Sequence, residues 1–459
     1  MPRVYRADLI FLDGEFRADC GLLVGDDGRI TRMLEASEAT EHPVAHLRGK
    51  AILPGFVNAH SHTFQRLIRG RTETRGVGGD DFWSWREPMY RAALSVDADD
   101  VYHVARMAFL EMVMAGTTTV GEFHYLHRAQ DGRAYDDPNL LAKKIIAAAK
   151  SVGLQIALLR VAYTRAGFEL PPHRGQRRFY ETSEEYLANT AELERELRGS
   201  EATWLGVAPH SIRAVPLRQL EEIVSWARER DLPVHMHAAE QVAELAACRR
   251  EYGATPVELL VKRELLSSKT TLVHAIHITG GEMDALAKAD TLICSCPTTE
   301  RNLGDGVIDA VKAATRGIRF AFGSDSEAQI DPLEDARQLE YHLRLQIQKR
   351  AVLDEIGGRN LSQRLFQYAT SGGAESLGFD GGVLAAGRSA DFFAVDLEDA
   401  SIAGNSAESL LAMVVFGMDH RAITDVVVAG KRIYQDGAHP LAAEIVAQYK
   451  EVHRKVWSE

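Results

Sequence analysis

From about residue 51 to 377 the chain alternates short apolar, β-branched runs with stretches of helical periodicity, eight times over. The first candidate strand is the apolar run 51–59, closed by His60-Ser61-His62, and the others run over 117–123, 154–161, 204–209, 233–237, 271–274, 291–296 and 319–323. Helical patterns over 99–115, 138–152, 216–230 and 332–350 lie between them. Strands that alternate with helices cannot be joined by hairpins, so they pair in parallel through crossovers. Eight such units predict an α/β fold of the (β/α)8 TIM-barrel type. The helix over 332–350 opens with Asp331 as a cap, Pro332 at its first position and Glu334 completing a capping-box-like pattern.

The two ends of the chain follow another rhythm. Residues 1–50 break into short strands around Asp13-Gly14 and Asp26-Asp27-Gly28, and 381–435 do the same. Neither end carries enough apolar residues for a core of its own, so pairing them is the economical solution. The predicted division is therefore a small composite β domain from 1–55 and 380–459, with a C-terminal helix, and a barrel over 56–379. Loop 164–182, with Pro171-Pro172 and several arginines, is long enough to suggest a lid or an interface.

The net charge of -12 argues against nucleic acid as a partner. Four cysteines, Cys20, Cys248, Cys294 and Cys296, suit a reducing compartment better than a disulfide scaffold. Cys294 and Cys296 resemble half of a soft-metal site, but without a second pair they read as core. The first residues lack the apolar run of a signal peptide, and no stretch approaches the length of a membrane span. A cytoplasmic protein, by default a homodimer, is expected.

The chemistry concentrates at strand ends. Seventeen histidines in 459 residues give about 0.6 His-x-His pairs by chance, and this chain has two, His60/His62 and His235/His237. Residues two apart on a strand share a face, so His60 and His62 point the same way. In a barrel the strand C-termini converge on one mouth, which would bring together His60, His62, His237, His274 and Asp325. His235 lies one layer deeper and reads as a buried, hydrogen-bonded ring. His124 and His127 read as loop polarity or as rings hydrogen-bonded behind the site, Asp305 and Asp309 as a solvated or capping acidic face, and Ser324 and Ser326 as orienting Asp325.

This pattern resembles the amidohydrolase superfamily: His-x-His after strand one, single histidines after strands five and six, and Asp after strand eight. Gly387-Arg388-Ser389-Ala390-Asp391 is similar to that family's return into its small β domain. No lysine follows strand four, where Ala208-Pro209-His210-Ser211 stands, and Glu240 lies three residues beyond His237. The resemblance therefore implies a single-metal aminohydrolase, with His60, His62, His237 and Asp325 holding one divalent ion, most simply Zn²⁺. It further implies that Asp325 and His274 accept a proton from water, while Glu240 carries protons to the substrate nitrogen and to departing ammonia. If Asp325 is purely a ligand, the base is His274; both readings stay open.

Arg86, inside the motif Phe82-Trp83-Ser84-Trp85-Arg86-Glu87-Pro88-Met89-Tyr90, and Arg213 each suit a carboxylate, which guanidinium binds bidentately. Two arginines suggest a dianion. Together with 60–65 and 122–127, these motifs resemble the branch of the superfamily that deiminates N-formimino-L-glutamate, an amidine-bearing dicarboxylate of histidine degradation. That resemblance implies contacts from Arg86, Arg213, Gln65 and Tyr125, with His210 near the formimino group. A guanine-, nucleobase- or triazine-type deaminase is the alternative, and it would favour stacking and amide contacts over paired arginines.

Overall fold

The computed structural model describes residues 1–35, 38, 40–73, 82–354 and 356–458; the side chains of 82–84 also lie outside the description. The side chains of Phe82, Trp83 and Ser84 in the aromatic motif are therefore outside the described residues. Five strands come first: β1 (Arg3–Leu12), β2 (Glu15–Ala18), β3 (Cys20–Val24), β4 (Ile30–Glu35) and β5 (Val44–Pro54). Eight follow with helices between them: β6 (Phe56–Ser61), β7 (Thr117–His124), β8 (Gln155–Ala162), β9 (Thr203–Pro209), β10 (Val234–Ala238), β11 (Thr270–His274), β12 (Leu292–Ser295) and β13 (Phe320–Phe322). Three close the series: β14 (Phe392–Asp396), β15 (Ile423–Val428) and β16 (Lys431–Tyr434).

Strands β6 to β13 pair in chain order and in parallel, as the eightfold alternation predicts. The first and last meet at one bridge, between Ser61 and Asp325. Two backbone hydrogen bonds make that seam: the His62 amide to the Asp325 carbonyl, and the Asp325 amide to the His60 carbonyl, both 3.0 Å. The barrel thus closes through residues expected to bind metal. β6, β7 and β8 are buried along their whole length, which is why they read as continuous apolar runs rather than as alternation.

The end strands form one sheet in the order β16-β15-β14-β5-β1-β3-β4, with β2 beside β1. Its own core includes Tyr5, Ile10, Leu22, Ile52, Phe392 and Val427, contributed by both ends of the chain. Asp391 ties the sheet to the barrel by accepting from the Ala429 amide at 2.7 Å and from Gln155 Nε2 at 2.9 Å.

Two local expectations need correction. The run 51–59 is not one strand. Residues through Pro54 pair with β1 and β14, whereas those from Phe56 on pair with β7. The break falls at Gly55, where a Cβ would stand 2.3 Å from the Thr118 side chain, so only glycine lets the chain pass from sheet to barrel. The capping box before Pro332–Ile347 is also only half made. Asp331 accepts from the Leu333 and Glu334 amides, but the Glu334 carboxylate turns to Gln338 and Arg301 instead.

Candidate functional site

The ends of β6, β10 and β13 bring His60, His62, His237 and Asp325 together, each buried, with one donor atom per residue all within 4.8 Å of one another. Their local backbones explain the aim. His62 Nδ1 donates to the Phe123 carbonyl at 3.0 Å, and His237 Nδ1 donates to the His210 carbonyl at 3.1 Å. A carbonyl only accepts, so both rings carry their proton on Nδ1 and present a bare Nε2 to the cluster. His62 Nε2 lies 3.2 Å from His60 Nε2 and 3.1 Å from Asp325 Oδ1. These groups are acceptors facing acceptors. Burial drives His60 down to about 3 against the pull of Asp325, so it stays neutral and offers at most one N–H. One proton cannot satisfy the set, whereas one cation can. The donors, three imidazoles and a carboxylate, fit a divalent ion such as zinc with a coordination place to spare.

Burial alone would raise the Asp325 carboxyl, but a hydrogen bond from the one N–H of His60 and the charge of His274 hold it well below its ordinary value. His274 Nε2 lies 3.6 Å from Asp325 Oδ2, and His274 Nδ1 donates to Glu300 Oε1 at 3.3 Å. Burial pushes His274 down, yet Glu300, Glu240 and Asp325 together outweigh it and raise it to about 10. His274 and Asp325 stand in left-handed backbone, at φ of 70° and 51°. Such conformations cost about 1–3 kcal/mol each and persist where the surroundings over-determine them. Here the turn after each strand swings the side chain across the mouth.

The remaining expected residues line the same pocket: Gln65, Arg86, Tyr125, His210, Arg213 and Glu240. Gln65 Nε2 donates to the Tyr125 hydroxyl at 2.8 Å. His210 stacks on His237 with ring centroids 4.7 Å apart, and burial together with the Arg213 charge pushes it well below its ordinary value. Arg213 lies 3.6 Å from Glu240 Oε2. Glu240 is itself fixed by its amide, which donates to Glu244 Oε2 at 3.0 Å.

Other residues of this region were not expected. Trp85, Met89, Tyr163, Phe179 and Leu303 complete the wall. Tyr163 directly follows β8, and the rule applied to the histidines would have found it. Phe179 comes from loop 164–182, whose composition points nowhere. That loop's inner half is anchored: Gln176 Nε2 donates to Tyr163 and Tyr90 hydroxyls at 2.8 and 2.9 Å, and Arg178 donates to the Val96 carbonyl at 2.7 Å. Glu122 accepts from the Thr63 amide, the Thr63 hydroxyl and the Ser61 hydroxyl at 2.9, 2.6 and 2.7 Å, so it pins the His-x-His segment from behind.

Some side chains stand apart from the cluster. His235 Nε2 donates to the Ser376 carbonyl at 2.8 Å and is buried as expected; His127 is not solvated loop polarity but a buried ring whose Nε2 donates to the Val161 carbonyl at 2.8 Å. Asp309 caps its helix through the Lys312 amide. Asp305 does not lie on a solvated face: the helix begins only at Ala310, and the preceding turn buries Asp305 against Gln241.

Comparison with known proteins bears on this geometry. The Amidohydrolase family model matches residues 51–433. A formimidoylglutamate deiminase of Pseudomonas aeruginosa is 38% identical over 392 residues, covering 85% of this chain and 86% of the relative. A 5-methylthioadenosine/S-adenosylhomocysteine deaminase of Shouchella clausii is 28% identical over 430 residues, covering 91% and 89%. Among solved structures, an amidohydrolase from Brucella melitensis superimposes with a TM-score of 0.91 at 34% identity, covering 99% of both chains. A zinc-bound adenosine deaminase from Xanthomonas campestris, at 22% identity and a TM-score of 0.84 over 100% of this chain and 99% of its own, shares the fold.

Proposed function

The chain belongs to the amidohydrolase family, and on that premise we propose that it hydrolyses N-formimino-L-glutamate to N-formyl-L-glutamate and ammonia. The observation that carries this reading is the presence of Arg86 and Arg213 on the walls of the pocket that also holds the histidine–aspartate cluster and Glu240. Two guanidiniums suit the two carboxylates of a glutamate derivative. The 38% identity to a formimidoylglutamate deiminase supports the same substrate. A cytoplasmic homodimer working in histidine degradation is the setting this implies.

His60, His62, His237 and Asp325 would hold one divalent ion, zinc by its donor set. When bound, the ion supplies Lewis acidity that makes water a nucleophile near neutral pH. His274 would have its protonation opposed by the charge of that ion, so that His274 Nε2 and Asp325 Oδ2, 3.6 Å apart, would share the proton lost by the attacking water. Glu240 would deliver a proton to the formimino nitrogen, so that ammonia leaves as the new carbonyl forms. Neutral His210 would orient the formimino group, and Gln65 and Tyr125 would add hydrogen bonds from the opposite wall. Phe179 and Trp85, which line the pocket, would limit the access of bulk water to the reacting carbon.

The test is ammonia release from N-formimino-L-glutamate, run beside guanine and cytosine, for the protein and for Arg86→Gln and Arg213→Gln. Turnover of the diacid should dominate, and each variant should lose about 10²-fold or more in kcat/KM, as expected when a charged hydrogen-bonding pair is broken. Undiminished activity in both variants, or preference for a nucleobase, overturns the substrate assignment.

A further inference from the structure

We infer that Cys296, His274 and the outer oxygen of Asp325 form a second, sulfur-bearing cation site beside the first, which takes thiophilic divalent ions and stops turnover when filled. The Cys296 thiol, a His274 ring nitrogen and an Asp325 oxygen lie within 4.8 Å of one another, and all three residues are buried. His274 Nε2 makes no hydrogen bond among the described residues although it is fully enclosed. It faces Asp325 Oδ2 at 3.6 Å, on the side of the carboxylate away from the oxygen shared by His60 and His62.

The three groups are positioned by a common support. Glu300 Oε1 accepts from the Cys296 amide at 2.8 Å and from His274 Nδ1 at 3.3 Å, so one carboxylate fixes both the ring and the backbone that carries the thiol. The same glutamate accepts from the Ser295 hydroxyl at 3.2 Å. Cys294, two residues earlier, packs in the same buried apolar cluster as Cys296, but only Cys296 brings its sulfur within reach of both His274 and Asp325. A preset sulfur, nitrogen and oxygen triad selects a softer ion than the neighbouring imidazole–carboxylate set does. Cadmium is the natural probe, and zinc in excess the natural rival. His274 and Asp325 line the pocket, and Cys296 lies buried behind them, so an ion reaches the sulfur by way of the pocket. On binding, the Cys296 thiol and the His274 Nε2–H each give up a proton to solvent, and the freed sulfur and nitrogen bond the ion, so uptake releases protons.

The inhibitory half rests on the proposed function, because it assumes that His274 and Asp325 Oδ2 accept the proton of water; the binding half does not. Protein carrying one equivalent of metal is titrated with Cd²⁺ while ultraviolet thiolate-to-cadmium absorption, bound metal and ammonia release are followed. The inference predicts a thiolate band that saturates at one added equivalent, with turnover lost in parallel. Cys296→Ala should lose the band and keep turnover in Cd²⁺, whereas Cys294→Ala should behave as the parent does. If Cys296→Ala fails to fold, Cys296→Ser takes its place, its hydroxyl being a poor cadmium ligand. No band in the parent, or a band that survives substitution of Cys296, overturns the site. Inhibition without a band overturns it as well, since it marks exchange at the first position. A band with undiminished turnover overturns the inhibitory half. Absence of any deiminase turnover speaks against the proposed function and leaves the absorption test intact.

Discussion

Glu240 lies 3.6 Å from Arg213 and outside the His60, His62, His237 and Asp325 cluster, so the proposed function gives proton delivery and metal binding to different side chains. Replacing Glu240 with Gln keeps its size and removes its proton-carrying charge. Glu240→Gln should lower kcat by about 10²–10⁴-fold, the usual contribution of a general acid–base group, while bound metal stays unchanged; loss of metal together with activity would assign Glu240 to the wrong job. Single residues were legible in the sequence where they end strands. His60, His62, His237, His274 and Asp325 could be named because period-two alternation and barrel geometry dictate where a strand end points. Glu122, Glu244 and Glu300 escaped notice because their task is to hold other residues, and a supporting carboxylate has no spacing of its own. Asp305 misled because an acidic residue before a helix looks like a cap until the start of that helix is known.

At the level of elements, the seam between β6 and β13 is the most demanding join. Its hydrogen bonds run through His60, His62 and Asp325, and Gly323 lies directly behind it. A Cβ on Gly323 would stand 2.7 Å from His60 Cβ and 2.9 Å from the His60 carbonyl oxygen. Gly323→Ala should therefore push β6 outward, at a cost of about 1–3 kcal/mol typical of overpacking, and weaken metal retention. Thermal unfolding and dialysis against a chelator check both, and an unchanged midpoint with full metal retention would show that the seam tolerates the methyl. The eight strands were legible because each is apolar, short and bounded by turns. The division of the run 51–59 was not, since two strands of different sheets separated by one glycine carry the same apolar signal as one. Loop 164–182 was marked by its length alone; that Arg178 and Gln176 anchor it and Phe179 faces the pocket depends on partners distant in sequence.

For the whole molecule, the sheet built from both chain ends and the barrel share the buried Asp391, whose carboxyl burial raises to about 6. Its ordinary value is 3.8, so between about pH 4 and 6 the folded protein holds a proton that the unfolded chain has released. Stability from this group is full below pH 4 and falls as pH rises through 6, by about 3 kcal/mol in all. Asp391→Asn cannot ionise, so its melting temperature relative to the parent should climb from pH 4 to 6 and then level off; a difference that stays flat across that window contradicts the assignment. The joining of the two ends was legible because neither could bury its own apolar residues, but which side chain links sheet to barrel was not. The account as a whole turns on one ion held by three imidazoles and an aspartate. Chelator-stripped protein, supplied with a divalent metal in sub-equivalent steps, should regain ammonia release from N-formimino-L-glutamate in proportion and reach its maximum at one equivalent per chain. Full turnover by the stripped protein, or a maximum that requires two equivalents, would contradict it.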